Sequence, residues 1–231
     1  MLLTTSRTMA RAVLFACTVT FAMTGCSTSN TPSAPAAPVA ARIVNMTSAV
    51  QLVGPVASTV PGVSVQVLDA NGAPVGGVTV TWTAFDGGSV SNATATTNGQ
   101  GMATVAWTFG TIAEADSLQA SVGTDLSTYI VGTAQAGPVT QLVVVSGDQQ
   151  TIAEGASASL VVKAVDQYGN AVSGVAIAWT DQGGGLLSSA TTLTDDTGQA
   201  TVMLTADLSP EQYVVVAQAS TATVTFVDYS N

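Results

Sequence analysis

Carboxylates are the reactive groups that this chain holds in quantity. Its 231 residues include 14 Asp and Glu, two Cys and no His. Without an imidazole, neither a Ser-His-Asp triad nor a His-ligated metal site can be built. A pair of loop carboxylates could serve acid–base chemistry on a glycan, and four Asp residues fall in predicted loops: Asp86, Asp181, Asp195 and Asp196. Loops of an acidic chain contain Asp in any case, so the sequence predicts no enzyme.

Calcium is the metal that such carboxylates would favour. Asp195, Asp196 and Asp166 are the first candidates, because Ca²⁺ takes oxygen ligands from Asp and from loop carbonyls. No EF-hand or nonapeptide pattern accompanies them. The spacing Asp-x-x-Gly is explained by turn geometry alone. The sequence therefore predicts no metal and no cofactor.

The thiol of Cys26 follows a segment typical of an export signal. Residues 1–25 have a basic start with two Arg, an apolar run and then small residues. The apolar run holds about a dozen residues, whereas a membrane-spanning helix needs about 20, so a cleaved signal is favoured over a permanent helix. Cys17 lies inside the run and would be removed, so we expect no internal disulfide.

Residues 23–26 read Met-Thr-Gly-Cys and resemble the lipobox of bacterial lipoproteins, with Met where Leu is usual. The resemblance implies that Cys26 is lipidated and begins the mature chain; the alternative is an ordinary Cys near a conventional cleavage site. Ser27 follows it instead of Asp, and in lipoproteins this favours the outer membrane without saying which face. Residues 26–41 are rich in Pro, Ser and Ala and indicate an extended tether.

The charge of the chain limits its partners. Its formal net charge is −10, with only four Lys and Arg. Binding to nucleic acid depends on Lys and Arg that neutralise phosphates, and anionic lipid surfaces are bound in the same way. Neither partner is expected, and membrane attachment would depend on the lipid anchor.

A whole domain is copied within the chain. Residues 69–82 return as residues 166–179, 97 positions later, with Asp, Gly, Val and Trp at matching places. Further pairs at this offset are Gly101 and Gly198, Trp107 and Leu204, and Tyr129 and Phe226. Such a repeat predicts two copies of one fold. The copies are assigned to residues 42–136 and 137–231.

Strand signals dominate both copies. Apolar and polar residues alternate over residues 63–67 and 78–82 and again in the second copy, which gives each strand one apolar face. Turns with Asp, Asn and Gly separate the strands, and their key residues are Asp69, Gly72, Gly101, Asp166, Gly169 and Gly198. No segment has a helical period. We therefore predict an all-β protein of two tandem immunoglobulin-like sandwiches with about seven strands each.

Tryptophan is the residue type that could serve either the core or a sugar-binding surface. Trp82 and Trp179 share a face with β-branched neighbours, which predicts burial instead of a stacking platform for sugars. Trp107 aligns with Leu204, and both are predicted to be buried. Tyr168 stands alone in the second Asp-x-x-Gly turn and is the candidate for an exposed contact; a solvated turn residue is the alternative.

The repeated motif resembles the bacterial immunoglobulin-like domains of the invasin and intimin type. The matching residues are 72–82, 87–88 and 97–110 in the first copy, and 169–179, 183–188 and 194–200 in the second. In that family these domains usually form the stalks of outer-membrane adhesins. The resemblance implies rigid sandwiches in series, held away from a membrane. Receptor binding is not carried over with it.

These observations together predict a non-catalytic adhesion, display or spacer module of the bacterial cell envelope. It would be lipid-anchored at the outer membrane, facing either the surface or the periplasm. The alternative is an accessory subunit or a polysaccharide-binding module of an envelope complex. Protein or polysaccharide partners would be contacted by loops at the ends of the sandwiches or by an exposed strand edge.

Overall fold

A computed structural model describes residues 37–48, 52–209 and 212–231. The predicted signal peptide, Cys26 and the tether up to residue 36 lie outside the described residues. All regular secondary structure in the described ranges is β-strand, and the eighteen strands belong to one unit, Pro38–Asn231. In these ranges no helix is long and apolar enough to cross a bilayer.

The first copy forms two packed sheets. One sheet has the order β1-β3-β7-β5 and the other has the order β2-β9-β8-β4-β6. All neighbours are antiparallel except β2 and β9, which pair in parallel. The strands are β1 (Arg42–Asn45), β2 (Val53–Pro55), β3 (Thr59–Leu68), β4 (Thr79–Ala84), β5 (Ser89–Val90), β6 (Thr94–Thr96), β7 (Met102–Thr108), β8 (Ala115–Val122) and β9 (Leu126–Gln135).

The second copy repeats this topology. Its sheets have the orders β10-β12-β16-β14 and β11-β18-β17-β13-β15, and β11 pairs in parallel with β18. The strands are β10 (Gln141–Ser146), β11 (Thr151–Ile152), β12 (Ser157–Val165), β13 (Ala176–Asp181), β14 (Leu186–Leu187), β15 (Thr191–Leu193), β16 (Gln199–Thr205), β17 (Gln212–Ala219) and β18 (Ala222–Ser230).

The predicted fold class is confirmed, but the described residues of each sandwich form nine strands instead of about seven. The additional strands are pieces of two or three residues, such as β5 and β14. Pieces this short are below the length at which alternation of apolar and polar residues can be recognised. Asp181 is also a correction, because it is the last residue of β13 and does not lie in a loop.

Each sandwich has its own hydrophobic core. In β3 the side chains of Val63, Val65 and Val67 are fully buried, whereas the residues between them reach the surface. Leu160, Val162 and Ala164 do the same in β12. Because strand side chains alternate between the two faces of a sheet, these triplets fill the space between the two layers of each sandwich.

The offset between the copies changes at the last hairpin, and the pairing of Tyr129 with Phe226 is wrong. Leu118 of β8 lies opposite Ile130, and its counterpart in β17 lies opposite Phe226. Ile130 is therefore the equivalent of Phe226, and both are buried. The cause is the turn, which has three residues between β8 and β9 but only two between β17 and β18. One residue fewer moves a side chain to the other face of its strand.

Candidate functional site

The Asp-x-x-Gly turns are built on hydrogen bonds from the backbone to an Asp side chain. Oδ1 of Asp69 accepts from the N–H groups of Asn71 and Ala73, both at 2.8 Å. Oδ1 of Asp166 accepts in the same way from Tyr168 and Asn170, at 2.8 and 3.0 Å. Gly72 and Gly169 have φ of 83° and 86°, a region that glycine enters without steric cost.

A second pair of turns holds Gly101 and Gly198, with φ of 71° and 77°. Asn98 accepts from the N–H groups of Gln100 and Met102 at 2.9 and 3.0 Å. In the second copy Asp195 accepts from the backbone of Thr197 and Gln199.

The hydrogen bonds of this turn lower the pKa of the Asp195 carboxyl. The Thr197 hydroxyl, at 2.7 Å, and the Gln199 N–H hold the pKa of the Asp195 carboxyl below its usual range. Oδ1 of Asp195 therefore accepts three hydrogen bonds within the turn. Asp196, beside it, is exposed.

The turn at Asp166 also joins the two sandwiches. Oδ2 of Asp166 accepts from the N–H of Gly137, in the segment between β9 and β10, at 2.9 Å. The side chain of Asn170 reaches the loop before β8, where its Oδ1 accepts from Ala113 N–H at 2.9 Å and its Nδ2 donates to Thr111 C=O at 2.8 Å. We call Asp166, Asn170 and these three partners the junction.

Asp166 is almost fully buried within the junction. Burial raises the pKa of the Asp166 carboxyl, but the hydrogen bonds from Asn170, Gly137 and Tyr168 outweigh burial and hold that pKa below its usual range. The carboxylate therefore stays charged and ties the linker and the turn together. The sequence singled out Asp166 as a turn residue; the signal for the junction was Asn170, which stands where the first copy has Ala73.

The Asp residues that were considered as calcium ligands, Asp166, Asp195 and Asp196, do not form a cluster. In the ranges that the structure covers, no group of three or more Cys, His, Asp or Glu side chains is placed to hold a metal ion. Asp166 is used in the junction and Asp195 in its turn. The arrangement around both carboxylates is that of turns.

The four carboxylates considered for acid–base chemistry are divided between the sandwiches. Asp86 follows β4, where its Oδ2 accepts from the N–H and the hydroxyl of Ser117 at 3.0 and 2.9 Å. The carboxyl that interacts with Asp86 is Asp116, which the sequence did not single out. Asp116 is fully buried and cannot meet a substrate, so Asp86 and Asp116 do not form an accessible catalytic pair.

All three Trp side chains are buried, as is Leu204. The indole N–H of Trp179 donates to the Thr192 hydroxyl at 2.8 Å, whereas those of Trp82 and Trp107 have no partner among the described residues. None of them offers a stacking surface. Tyr168 is exposed in its turn. The sequence missed other exposed aromatic positions, and among them Tyr129 was missed because the wrong offset matched it with the buried Phe226.

Comparisons with known proteins agree with this architecture. Residues 141–227 match the family described as bacterial Ig-like domain (group 1), and this segment spans β10 to β18 except for the last residues. This match confirms the resemblance to immunoglobulin-like domains of the invasin and intimin type. No curated protein matches the chain.

Two solved structures share the fold. The Escherichia coli adhesin FdeC is 21% identical with a TM-score of 0.56, over 81% of this chain and 65% of that one. InvD of Yersinia pseudotuberculosis is 23% identical with a TM-score of 0.51, over 82% of this chain and 57% of that one. The chain therefore spans about two thirds or less of these proteins, and at such identity the likeness concerns the fold.

Proposed function

We propose that this chain of immunoglobulin-like sandwiches is a non-catalytic adhesion, display or spacer module of the bacterial cell envelope. The observation that carries the proposal is the junction. Hydrogen bonds from Asp166 and Asn170 connect the turn of the second sandwich to the linker and to a loop of the first. A module that presents a surface away from its anchor needs such a connection, because a loose linker would let the domains move independently.

The anchor in this proposal is a lipid on Cys26. Its support is the lipobox-like sequence of residues 23–26 behind an export-type leader. Each buried methylene contributes about 0.8 kcal/mol, so several acyl chains hold a protein firmly to a membrane. Mass spectrometry of the mature amino terminus tests this step: we expect an acylated Cys26, and a free terminus would contradict the anchor. The substitution Cys26→Ser should move the protein to the soluble fraction.

The face of the outer membrane decides between adhesion and an internal role. Protease added to intact cells should degrade the sandwiches if they are displayed outside. A periplasmic protein of known location serves as the protected control, and cells with permeabilised outer membranes show that the sandwiches can be cut at all. Protection in intact cells but cleavage after permeabilisation would reject adhesion to outside targets.

An accessory or polysaccharide-binding role is the second candidate, and one observation favours it. Tyr129 and Phe85 form an exposed aromatic pair on the first sandwich, with ring centroids 6.3 Å apart. Two exposed aromatic rings that lie side by side offer an apolar surface, which suits flat apolar faces of ligands. This candidate shares the anchor and the junction with the first and differs in what the module contacts.

A further inference from the structure

The outer face of the five-stranded sheet in the first sandwich carries an aromatic platform. We define it as Phe85, Ser117, Gln119, Tyr129 and Val131. Tyr129 and Val131 are 57% and 59% exposed on β9, and Phe85, directly after β4, is 39% exposed. The two rings are tilted by 35° at a centroid distance of 6.3 Å. Ser117, opposite Val131 on β8, leaves room for both rings because its side chain is small.

Polar groups border the two rings. The Gln119 amide on the neighbouring strand donates to the Tyr129 hydroxyl at 3.1 Å, which fixes the ring across the strand pair. On the other side the Asp86 carboxylate accepts from the Ser117 hydroxyl at 2.9 Å. Thr83 lies opposite Gln119 on the third strand of this row. Flat apolar rings with an amide, a carboxylate and hydroxyls at their rim match the two kinds of surface on a sugar ring.

The second sandwich lacks this platform although it has the same sheet. The strand pairing places Thr225 at the position of Tyr129, and Gln182 follows β13 at the position of Phe85. Val216 replaces Gln119, and Val214 replaces Ser117. The rings and their polar rim are thus features of the first copy and not of the fold.

The charge and the area of the platform limit the kinds of ligand that it can bind. The basic residues in the described ranges are Arg42 and Lys163, and both lie in the four-stranded sheets, away from the platform. An anionic ligand would meet Asp86 without any cation to balance its charge. The exposed parts of two aromatic and one aliphatic side chain supply only a few hundred Å², whereas a stable protein interface buries about 800 Å² on each partner.

We propose that the aromatic platform binds an uncharged polysaccharide, with sugar rings stacked on Tyr129 and Phe85. Hydroxyls at the edges of the sugar rings would form hydrogen bonds with Gln119, Asp86 and Ser117. The inference rests on the proposed function, since it names the ligand class that an envelope module of this kind would contact. It does not depend on lipidation or on the face of the membrane.

Affinity electrophoresis of the purified full chain tests the proposal. Native gels contain one soluble polysaccharide each: the uncharged probes are dextran, a β-glucan, a galactomannan and an arabinoxylan, and the anionic probes are alginate and dextran sulfate. We expect at least one uncharged probe to retard the protein and neither anionic probe to do so. The failure of every uncharged probe to retard the chain overturns the proposal, and so does retardation by an anionic probe that the platform variants abolish.

The variants place the residues of the second copy on the first: Phe85→Gln and Tyr129→Thr. Each should weaken binding to the retarding probe by about tenfold, because it removes one ring of the stack. Tyr129→Phe keeps the ring and should bind within about threefold of the unsubstituted chain. Circular dichroism and thermal melting verify that the variants fold.

The matched control is Tyr229→Ala in the second sandwich. Tyr229 is exposed on the equivalent sheet, and the amide of Gln212 donates to its hydroxyl at 3.2 Å, but it does not belong to the platform. Its loss should leave retardation unchanged. Retardation that survives in the double variant of Phe85 and Tyr129, or that disappears in Tyr229→Ala alone, overturns the assignment. Neither result affects the anchor or the cellular location, so a failure here is distinct from a failure of the proposed function.

Discussion

Asp116 and Asp228 are carboxyl groups buried at the same place in the two sandwiches. Asp116 lies opposite Gly132, and Asp228 lies opposite Tyr213 in the equivalent cross-strand pair. One oxygen of Asp116 accepts from Gly110 N–H at 2.6 Å, but the other has no partner among the described residues. Burial raises the pKa of both carboxyls, and the nearby charges of Asp86 and Asp148 raise it further.

The raised pKa of Asp116 predicts how stability depends on pH. Above 3.8, the ordinary pKa of an Asp carboxyl, the folded protein holds the Asp116 proton more tightly than the unfolded chain does. The free energy of unfolding therefore falls as pH rises through the window between 3.8 and the raised folded pKa. Above that window the folded state contains a buried charge that is only partly compensated, which is unfavourable.

We expect Asp116→Asn to raise the free energy of unfolding at pH 7 relative to its effect at low pH, because the amide is neutral and its oxygen can still accept from Gly110 N–H. The gain should diminish as pH falls through that window, in which the folded Asp116 carboxyl takes up its proton. Urea unfolding at several pH values measures both effects. Asp125→Asn, at an exposed Asp, is the control and should change stability by less than about 0.5 kcal/mol. A gain that is the same at pH 4 and pH 7 would contradict the electrostatic cause.

Gly101 is a turn residue at which the backbone leaves no room for a side chain. Its φ is 71°, and a Cβ there would lie 2.5 Å from the Val67 carbonyl oxygen. We expect Gly101→Ala to destabilise the chain by about 2 kcal/mol or more, since strain and clash add. Gly99→Ala, in the same turn but with open space around its Cβ, is the matched control and should be close to neutral. Thermal unfolding of both variants checks the difference, and equal losses would contradict it.

At the scale of elements, the sequence predicted what depends on periodicity and turn chemistry. Alternating apolar residues placed β3 and β12 correctly, because only one face of each strand is buried. Asp69 and Asp166 marked the turns, since a short carboxylate can bond its own backbone two and four residues ahead. The short strands β5 and β14 could not be predicted, since their two residues carry no period.

The parts of the candidate site that the sequence missed depend on the register of strands. The β17–β18 turn is one residue shorter than the β8–β9 turn, so the offset of 97 residues does not hold in β18. This offset matched Tyr129 with a buried residue, and the exposure of Tyr129 was therefore not predicted. Asp116 was missed because a polar residue at a core position contradicts the pattern from which burial is predicted. Asp116 shares the inward face of β8 with Leu118 and Ala120, and its cross-strand neighbour is Gly132.

The two sandwiches fill the same end of their cores with different side chains. In the first, Phe109 packs edge-on against Trp107 at 4.9 Å, and a Cβ on Gly132 would lie 2.5 Å from the Phe109 ring. In the second, Ala206 stands at the position of Phe109, and the fully buried Tyr213 lies opposite Asp228. Gly132 therefore leaves free the space that the large ring of Phe109 fills.

We expect Gly132→Ala to destabilise the first sandwich by about 2 kcal/mol through overpacking, and Phe109→Ala by about 3 to 5 kcal/mol through a cavity. Combined, they should cost clearly less than the two losses added together, because the new methyl enters space that the ring has left. A double-mutant cycle by urea unfolding measures the coupling. Simple additivity would show that the two residues do not share this space.

At the scale of the whole molecule, one substitution between the copies distinguishes a turn from a junction. Asn170 replaces Ala73, and its amide bonds both Asp166 and the loop of the preceding sandwich. The difference was visible in the sequence, but its meaning was not, because the partner loop lies more than fifty positions earlier in the chain. The first copy has no Asn there, so its own turn is not built to hold a preceding sandwich in this way.

Asn170→Ala should loosen the junction while leaving each sandwich folded. The side chain lies at the rim of both cores, so we expect each sandwich to lose no more than about 1 kcal/mol, while the two gain independent motion. Residual dipolar couplings measure this directly: one alignment tensor should fit both sandwiches in the unsubstituted chain, and two tensors of different magnitude should be needed in the variant. Asn71→Ala, in the equivalent turn of the first sandwich, is the control and should keep one tensor. If Asn170→Ala also keeps one tensor, the Asn170 amide does not hold the sandwiches together, and the stiffness on which the proposed display role depends must come from Asp166 and the linker backbone alone.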